Sequence, residues 1–298
     1  MRKQWTWIMI LCIFNFSLMG FILTHPTSKN QDTKIVKKED KKSFTFVGVG
    51  DNLYHNTQYM CQEQNEYYNF DSYYEMTNKY TQKADLAYIN FETLCIGEEY
   101  GLSGYPTFNG PTEILSSVNK AGFDWWSLSS NHSMDRGVEG LLKQIELVRE
   151  NYPDVITTGS HTSKKDRNRT LVKEINGIKV GFLGYTYGLN GFVLPEDKPW
   201  LVDLIDKDQM KKDMEALSKV SDIQLVSMHW GDEYQTYPND EQQDLANYLN
   251  ELGAEVVIGS HPHVIQPAKI IKCKKQDTLV YYSLGNYTST QDVDERMV

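Results

Sequence analysis

From Ser43 onward, two periods of apolar and polar residues alternate along the chain. Continuous apolar runs at 44–49 and 86–91 predict buried strands, closed by Gly50-Asp51 and by Glu92 respectively. A shorter run at 125–128 predicts a strand that empties into Ser129-Ser130-Asn131-His132. Helical spacing marks 135–150 through Val138, Leu141, Leu142, Ile145 and Val148. It also marks 111–121, with Pro111 early and Gly122 just past the end. Asn176-Gly177 joins runs at 171–175 and 178–183 and predicts a tight hairpin. Helices at 207–219 and 240–252 then alternate with strands at 224–228 and 255–258, and runs at 269–273 and 278–283 predict paired strands. Alternation with an added antiparallel element predicts an α/β fold of layered sheets flanked by helices, a single domain over 44–291.

The first two dozen residues depart from this pattern. Arg2 and Lys3 precede Trp5 to Leu23, nineteen residues without formal charge. As a helix this stretch is about 28 Å long, enough to cross the hydrocarbon core. The charge on its N-terminal side predicts residues 1–24 as a cytoplasmic stub and single-pass membrane anchor, with the rest extracellular. A cleaved signal peptide is the alternative, although Thr24-His25-Pro26-Thr27 offers no small-residue cleavage site. Residues 25–43 carry no apolar period and read as an extracellular linker, whose lysines at 37, 38, 41 and 42 could also touch anionic lipid. Residues 292–298 read as a tail.

Composition narrows the function classes. Forty acidic against thirty basic residues leave a formal charge of −10, which excludes a chain whose main task is gripping nucleic-acid phosphates. Four cysteines, at 12, 61, 95 and 273, match neither a disulfide framework nor a zinc-ribbon spacing. Nineteen tyrosines are compatible with a surface that handles carbohydrate or another polymer.

The chemistry sits where predicted strands end. Gly50-Asp51, Asn90-Phe91-Glu92, Asn131-His132, His229-Trp230-Gly231 and Gly259-Ser260-His261-Pro262-His263 all occupy that position, and four of the seven histidines lie among them. In α/β folds ligands gather beyond the carboxyl ends of strands, so these groups would converge on one edge. Imidazole, carboxylate and amide oxygen together suit a borderline divalent metal such as Mn, Fe or Zn. Singly, Asp51 or Asn131 reads as a turn residue and His229 as a core histidine. His261-x-His263, stiffened by Pro262, resists such a reading, because alternate residues of an extended chain share a face.

This order of motifs resembles the calcineurin-like metallophosphoesterase superfamily. More closely, the chain is similar to the CapA/PgsA family of bacterial poly-γ-glutamate capsule synthesis proteins. The resemblance rests on Val49-Gly50-Asp51, Ile89-Asn90-Phe91-Glu92-Thr93, the stretch from Ser130 to Gly137, His229-Trp230-Gly231-Asp232-Glu233-Tyr234, the stretch from Gly253 to His263, and Tyr282-Ser283-Leu284-Gly285-Asn286-Tyr287. It implies that Glu92 bridges two metals, that Asn131, His229 and His261 complete one site, and that Asp51 with His263 holds the other. It further implies that His132 is the general acid for a leaving oxygen when metal-activated water attacks phosphorus in line. The chain departs from the superfamily pattern at Leu53, where a histidine is usual, and at Glu92, where an aspartate is usual. Asn90 therefore competes for the bridging role, His55 would point elsewhere along an extended chain, and one ion or two remain open. Asn90, Arg136, Glu233 and Tyr234 are further candidates for substrate contact, the last three each with a structural alternative.

The function so implied is a membrane-anchored, extracellular, metal-dependent phosphoesterase-like hydrolase serving poly-γ-glutamate or a related anionic surface polymer. Amide-linked polyglutamate holds no phosphorus, so the substrate would be an envelope phosphoester, or the site would bind the polymer or cut an amide. The alternative is a non-catalytic accessory subunit that contacts other membrane subunits of a polyglutamate synthase or export complex.

Overall fold

A computed structural model describes residues 42–62, 67–273 and 276–291. The anchor at 5–23, nearly all of the linker and the tail at 292–298 lie outside the described residues. Among those that are described, no helix is long and apolar enough to cross a membrane.

Eleven strands form two sheets among the described residues. The first contains β1 (Phe46–Asn52), β2 (Leu86–Phe91), β3 (Trp125–Ser127), β4 (Ile156–Thr158) and β11 (Asn286–Thr288), all parallel, in the order β11-β1-β2-β3-β4. The second contains β5 (Val172–Ile175), β6 (Ile178–Thr186), β7 (Ile223–His229), β8 (Val256–Ser260), β9 (Ala268–Ile271) and β10 (Thr278–Tyr281), in the order β5-β6-β7-β8-β10-β9. Its four central strands are parallel and its two edge strands antiparallel. The helices are α1 (Asn56–Met60), α2 (Glu75–Thr81), α3 (Glu113–Lys120), α4 (Gly137–Asn151), α5 (Lys164–Arg167), α6 (Lys207–Leu217) and α7 (Asp240–Leu252).

Side-chain alternation sorts these elements into four layers. On β2, Leu86 and Tyr88 point between the sheets, where they meet Trp125, Val180, Phe182, Leu225 and Ile258. Ala87, Ile89 and Phe91 point the other way, onto Ile114, Leu115 and Val118 of α3 and Leu141, Ile145 and Val148 of α4. Burial on both faces explains why β2 reads as an unbroken apolar run. Val226 and Met228 of β7 likewise face away from the first sheet, onto Met210 and Met214 of α6 and Leu245 and Leu249 of α7. Fully burying each such side chain stabilises the fold by roughly 1.5–3 kcal/mol.

Local chemistry fixes the ends. Asn176 and Gly177 both take positive φ (51° and 75°), as a tight hairpin turn requires. Helix α7 starts at Asn239 with a capping box to Gln242 and stops at left-handed Gly253. The strand expected at 125–128 ends at Ser127, and the one expected at 278–283 ends at Tyr281, where the chain turns toward β11.

Candidate metal centre

The parallel strands of both sheets end at one edge, and pair register sets the candidate ligands in rows. Across the first sheet, Asn286 of β11, Asp51 of β1 and Asn90 of β2 are register partners. Across the second, Thr186, His229 and Ser260 are partners on β6, β7 and β8. The rows meet where the backbone N–H of His261 donates to Asp51 Oδ2 at 3.2 Å. Close packing beneath them demands glycine. A Cβ on Gly50 would lie 1.8 Å from the Gly285 carbonyl oxygen, and one on Gly259 would lie 1.9 Å from that of Tyr282.

Asp51, Asn90, Glu92, Asn131, His229, His261 and His263 are all buried. Their ligand atoms fall into two groups, Asp51-Glu92-His229 and Glu92-His261-His263, with all atoms of a group within 4.8 Å of one another. Glu92 belongs to both. This grouping differs from the partition that the resemblance implies, since His229 sits with Asp51 and His261 with His263. Asn131 is adjacent, its Oδ1 2.8 Å from His229 Nε2. Asn90 turns its amide NH2 toward Asp51 Oδ1 at 2.8 Å, and its Oδ1 has no partner.

The Nδ1 atoms of His229 and His263 are held, with Nε2 of each ring toward Glu92. His229 Nδ1 lies 3.0 Å from Ser260 Oγ, and His263 Nδ1 lies 2.9 Å from Asn286 Oδ1 and 3.3 Å from Asp51 Oδ2. Such contacts orient an imidazole for a ligand on its other nitrogen. His261 and His263 both take positive φ (92° and 61°), a costly conformation for non-glycine residues.

The donor set fits a divalent cation. Both Glu92 carboxylate oxygens and His261 Nδ1 are buried without a hydrogen-bond partner. Burial pushes the Glu92 carboxyl well above the usual range and the Asp51 charge adds to this, while His263 opposes it. Burial, with neighbouring imidazoles, pushes His229 well down and His261 down to about 3, which leaves both rings neutral and able to ligate. Burial pulls His263 down too, but the Glu92 and Asp51 carboxylates outweigh it and lift the ring to about 9. A concentration of carboxylate and imidazole this poorly compensated is what a bound cation corrects.

His132 lies beside the cluster, with Nδ1 2.7 Å from Asp135 Oδ2 and its ring edge-on to Phe108 at 4.6 Å between centroids. Asp135 also accepts the Phe108 backbone N–H at 2.6 Å. The Asn190 amide reaches within 3.5 Å of His132 Nε2 and also accepts from Asn131. Asp135, Asn190, Ser260 and Asn286 are positioning residues that the sequence reading did not assign. Asp135, three residues after His132, was the accessible signal.

Other candidates are placed differently. Leu53 is buried, and no described ligand takes the position of the usual histidine. His55 belongs to neither ligand group; the chain turns into α1 there, and its ring is edge-on to Phe108 at 5.2 Å. Arg136 has a different role from the expected substrate contact. Its guanidinium donates to the carbonyls of Tyr100, Gly101, Thr107 and Asp135 and to Ser103 Oγ, clamping the 100–107 loop. Glu233 is exposed, and Tyr234 lies 6.1 Å from the His263 ring.

Comparison with known proteins decides the lineage. Residues 45–291 match the family described as bacterial capsule synthesis protein PGA_cap. This chain belongs to that family. It is 26% identical over 266 residues to the capsule biosynthesis protein CapA of Bacillus anthracis, covering 86% of this chain and 62% of that protein. It is 31% identical over 181 residues to the PGA biosynthesis protein CapA of Bacillus subtilis (strain 168), covering 60% of this chain and 45% of that protein. The chain thus spans less than two thirds of the length of these relatives. A putative 5′-nucleotidase from Staphylococcus aureus shares the fold, with a TM-score of 0.51 and 14% identity over 81% of this chain and 48% of that one. That likeness shows a shared layered α/β fold.

Proposed function

We propose that this PGA_cap protein is a metal-dependent hydrolase of the phosphoesterase type. In this reading it is tethered to the cell membrane by residues 5–23 with its domain outside, and it acts in the synthesis of poly-γ-glutamate capsule or a related anionic surface polymer. The carrying observation is the convergence of buried, unpartnered donors (Glu92 Oε1 and Oε2, His261 Nδ1) beside a histidine that is itself held by a carboxylate.

Asp51, Glu92, Asn131, His229, His261 and His263 would hold one or two divalent ions, Mn, Fe or Zn. When bound, such an ion supplies Lewis-acid charge at a phosphoryl oxygen and lowers the pKa of water. His132 donates the Nε2 proton to the leaving oxygen, and Asp135, 2.7 Å from Nδ1, keeps the ring oriented for that transfer. The substrate fitting this chemistry is an envelope phosphoester, and other membrane subunits of a polymer synthase are the expected partners.

The test is elemental analysis of the purified full chain, with hydrolysis of a phosphodiester and a phosphomonoester on the same sample. Stoichiometric metal, with turnover falling about 10²–10⁴-fold in His132→Ala and metal content unchanged, supports the reading. Retained metal without turnover in the wild type supports an accessory, non-catalytic subunit instead. Failure to hold Mn, Fe or Zn after resupply overturns the ligand assignment.

A further inference from the structure

One cavity of this fold shares no residue with the metal centre. It has a volume of about 370 Å³, within the roughly 300–1,000 Å³ of small-molecule sites. The edge strand β4, strand β6 and helices α5 and α6 enclose it. Strand β6 walls it at Phe182 to Gly184 and, two residues later at Thr186, joins the row of His229.

Its charge runs against that of the chain. Arg149, Arg167, Arg169 and Lys212 line it against the carboxylates of Asp166, Asp203 and Asp213, whereas the whole sequence has forty acidic residues to thirty basic. Pairing among these groups is uneven. Arg167 is committed to Asp203 and Asp213, and Arg149 meets Asp166 at 2.7 Å, so two arginines answer all three carboxylates. Arg169 reaches only Asp166, at 3.6 Å, and Lys212 has no partner among the described residues. Both are exposed, as are Asn168 and Thr170, which also line the cavity. The inner Arg167 cluster therefore builds the wall, and the cations left over stand at the mouth.

The rest of the lining decides what those cations would hold. Leu171, Phe182, Leu183 and Leu217 give the cavity an apolar side, with Phe182 and Leu217 almost wholly buried. Lysine and arginine side chains only donate, so the ligand must bring acceptors and negative charge. A carboxylate matches the arginine fork, and an aliphatic chain behind it covers the apolar side. Inorganic phosphate would meet the cations and leave that side bare.

We propose that this cavity is a second binding site, in which Arg169 and Lys212 hold the carboxylate of an aliphatic acid against Leu171, Phe182, Leu183 and Leu217. The acid is a segment of a carboxylate-bearing polymer, as polyglutamate is, or a small free acid. The carboxylate class follows from the cavity alone, and the polymer as its source rests on the capsule reading above.

The experiment is calorimetric titration of the full chain, freed of metal by chelation and dialysis so that the metal centre offers carboxylates no partner. The probes are γ-linked pentaglutamate, glutarate and inorganic phosphate. At least one of the two acids should bind with a Kd below about 1 mM. A pentamer that binds more tightly than glutarate assigns the polymer, and one that binds no more tightly assigns the small acid. Arg169→Gln and Lys212→Gln, both at exposed positions, should each weaken the tighter acid about tenfold. Lys164→Gln, on α5 but outside the lining, should leave its affinity unchanged. The proposal is overturned by any of four results: neither acid binds, the Arg169 and Lys212 variants bind as wild type does, Lys164→Gln loses as much as they do, or phosphate binds as tightly as the acids. Phosphoester turnover in metal-supplied protein that binds neither acid would leave the hydrolase reading intact and remove this site. Binding of an acid by protein that turns over no phosphoester would do the reverse.

Discussion

Two clusters of charge in this fold set carboxylates beside histidine, one fully buried and one partly so, and only the first resembles a metal-binding centre. The first is the Asp51-Glu92-His229-His261-His263 group. The second lines a cavity of about 370 Å³ between β4, β6, α5 and α6, and it contains His161, Arg167, Asp203 and Asp213. In the second, every carboxylate oxygen is satisfied. Asp203 is paired with His161 at 2.8 Å and with Arg167. Asp213 receives Arg167 at 2.6 and 3.2 Å, Tyr185 at 2.8 Å and Gln209 at 2.9 Å. In the first, both Glu92 oxygens and His261 Nδ1 lack partners. Each holds two acids beside histidine, so the presence of those residue types would not separate the two clusters. Unsatisfied polarity does, because a buried unpaired group costs on the order of 1–3 kcal/mol and persists where something outside the chain completes it.

The comparison breaks most visibly at Arg167. Arg167→Leu leaves the largely buried Asp203 and Asp213 carboxylates without the guanidinium they share and should lower the unfolding free energy by about 3–5 kcal/mol in urea titrations. Metal content should not change. A loss below about 1 kcal/mol would mean that the second cluster is no better compensated than the first.

Metal removal acts on the other side. Adding the bound ion at 100 times its Kd should raise the unfolding free energy of chelated protein by about 2.7 kcal/mol. Arg167→Leu should show the same increment on its lower baseline. Glu92→Gln should abolish the increment, yet its metal-free form should be no less stable than metal-free wild type, since the substitution removes an unpaired carboxylate. A Glu92→Gln protein that unfolds earlier than wild type under chelation would assign Glu92 a structural role instead.

The same contrast shows what was legible in the sequence. The long apolar runs and the helices at 137–151 and 240–252 were visible because burial on both faces, or on one, leaves a period in the chain. The six expected ligands were visible because polar residues end those runs. Strands β4 and β11 span three residues each and were not expected, because they carry two polar residues of three, whereas the equally short β3 is marked by Trp125-Trp126. The positioning residues were hidden for a different reason. Asn190 and Asn286 reach the site through loop geometry and through parallel pairing across more than two hundred residues, which no local pattern encodes. Arg136 read as a surface or substrate arginine because carbonyl acceptors of a folded loop leave no trace in composition.

Asn286 offers a finer test of orientation. It holds His263 Nδ1 at 2.9 Å without facing the cluster. Asn286→Ala should weaken metal binding about 10–100-fold, read by competition with a chelating dye, with the circular dichroism spectrum unchanged. Asn286→Asp, which keeps the acceptor, should recover most of the affinity. Equal affinity in the alanine variant would leave Asp51 alone as the orienting group.

The smallest effect concerns acid, at the rim of the satisfied cluster. Asp166 accepts from Arg149 at 2.7 Å and from the Thr162 N–H at 3.0 Å. Burial works against its ionised form, but these two contacts prevail and hold the carboxyl below its ordinary value of 3.8. A carboxyl depressed in the folded state adds stability that is fully present above the ordinary value and is lost as pH falls below it. The Arg149 side chain is 28% exposed, so the pair contributes no more than about 1 kcal/mol. Arg149→Gln should therefore reduce stability by that amount at pH 7, and the gap to wild type should close as urea midpoints are followed downward from pH 4. A gap that stays constant with pH would show that Arg149 acts through packing of its stem rather than through the charge on Asp166.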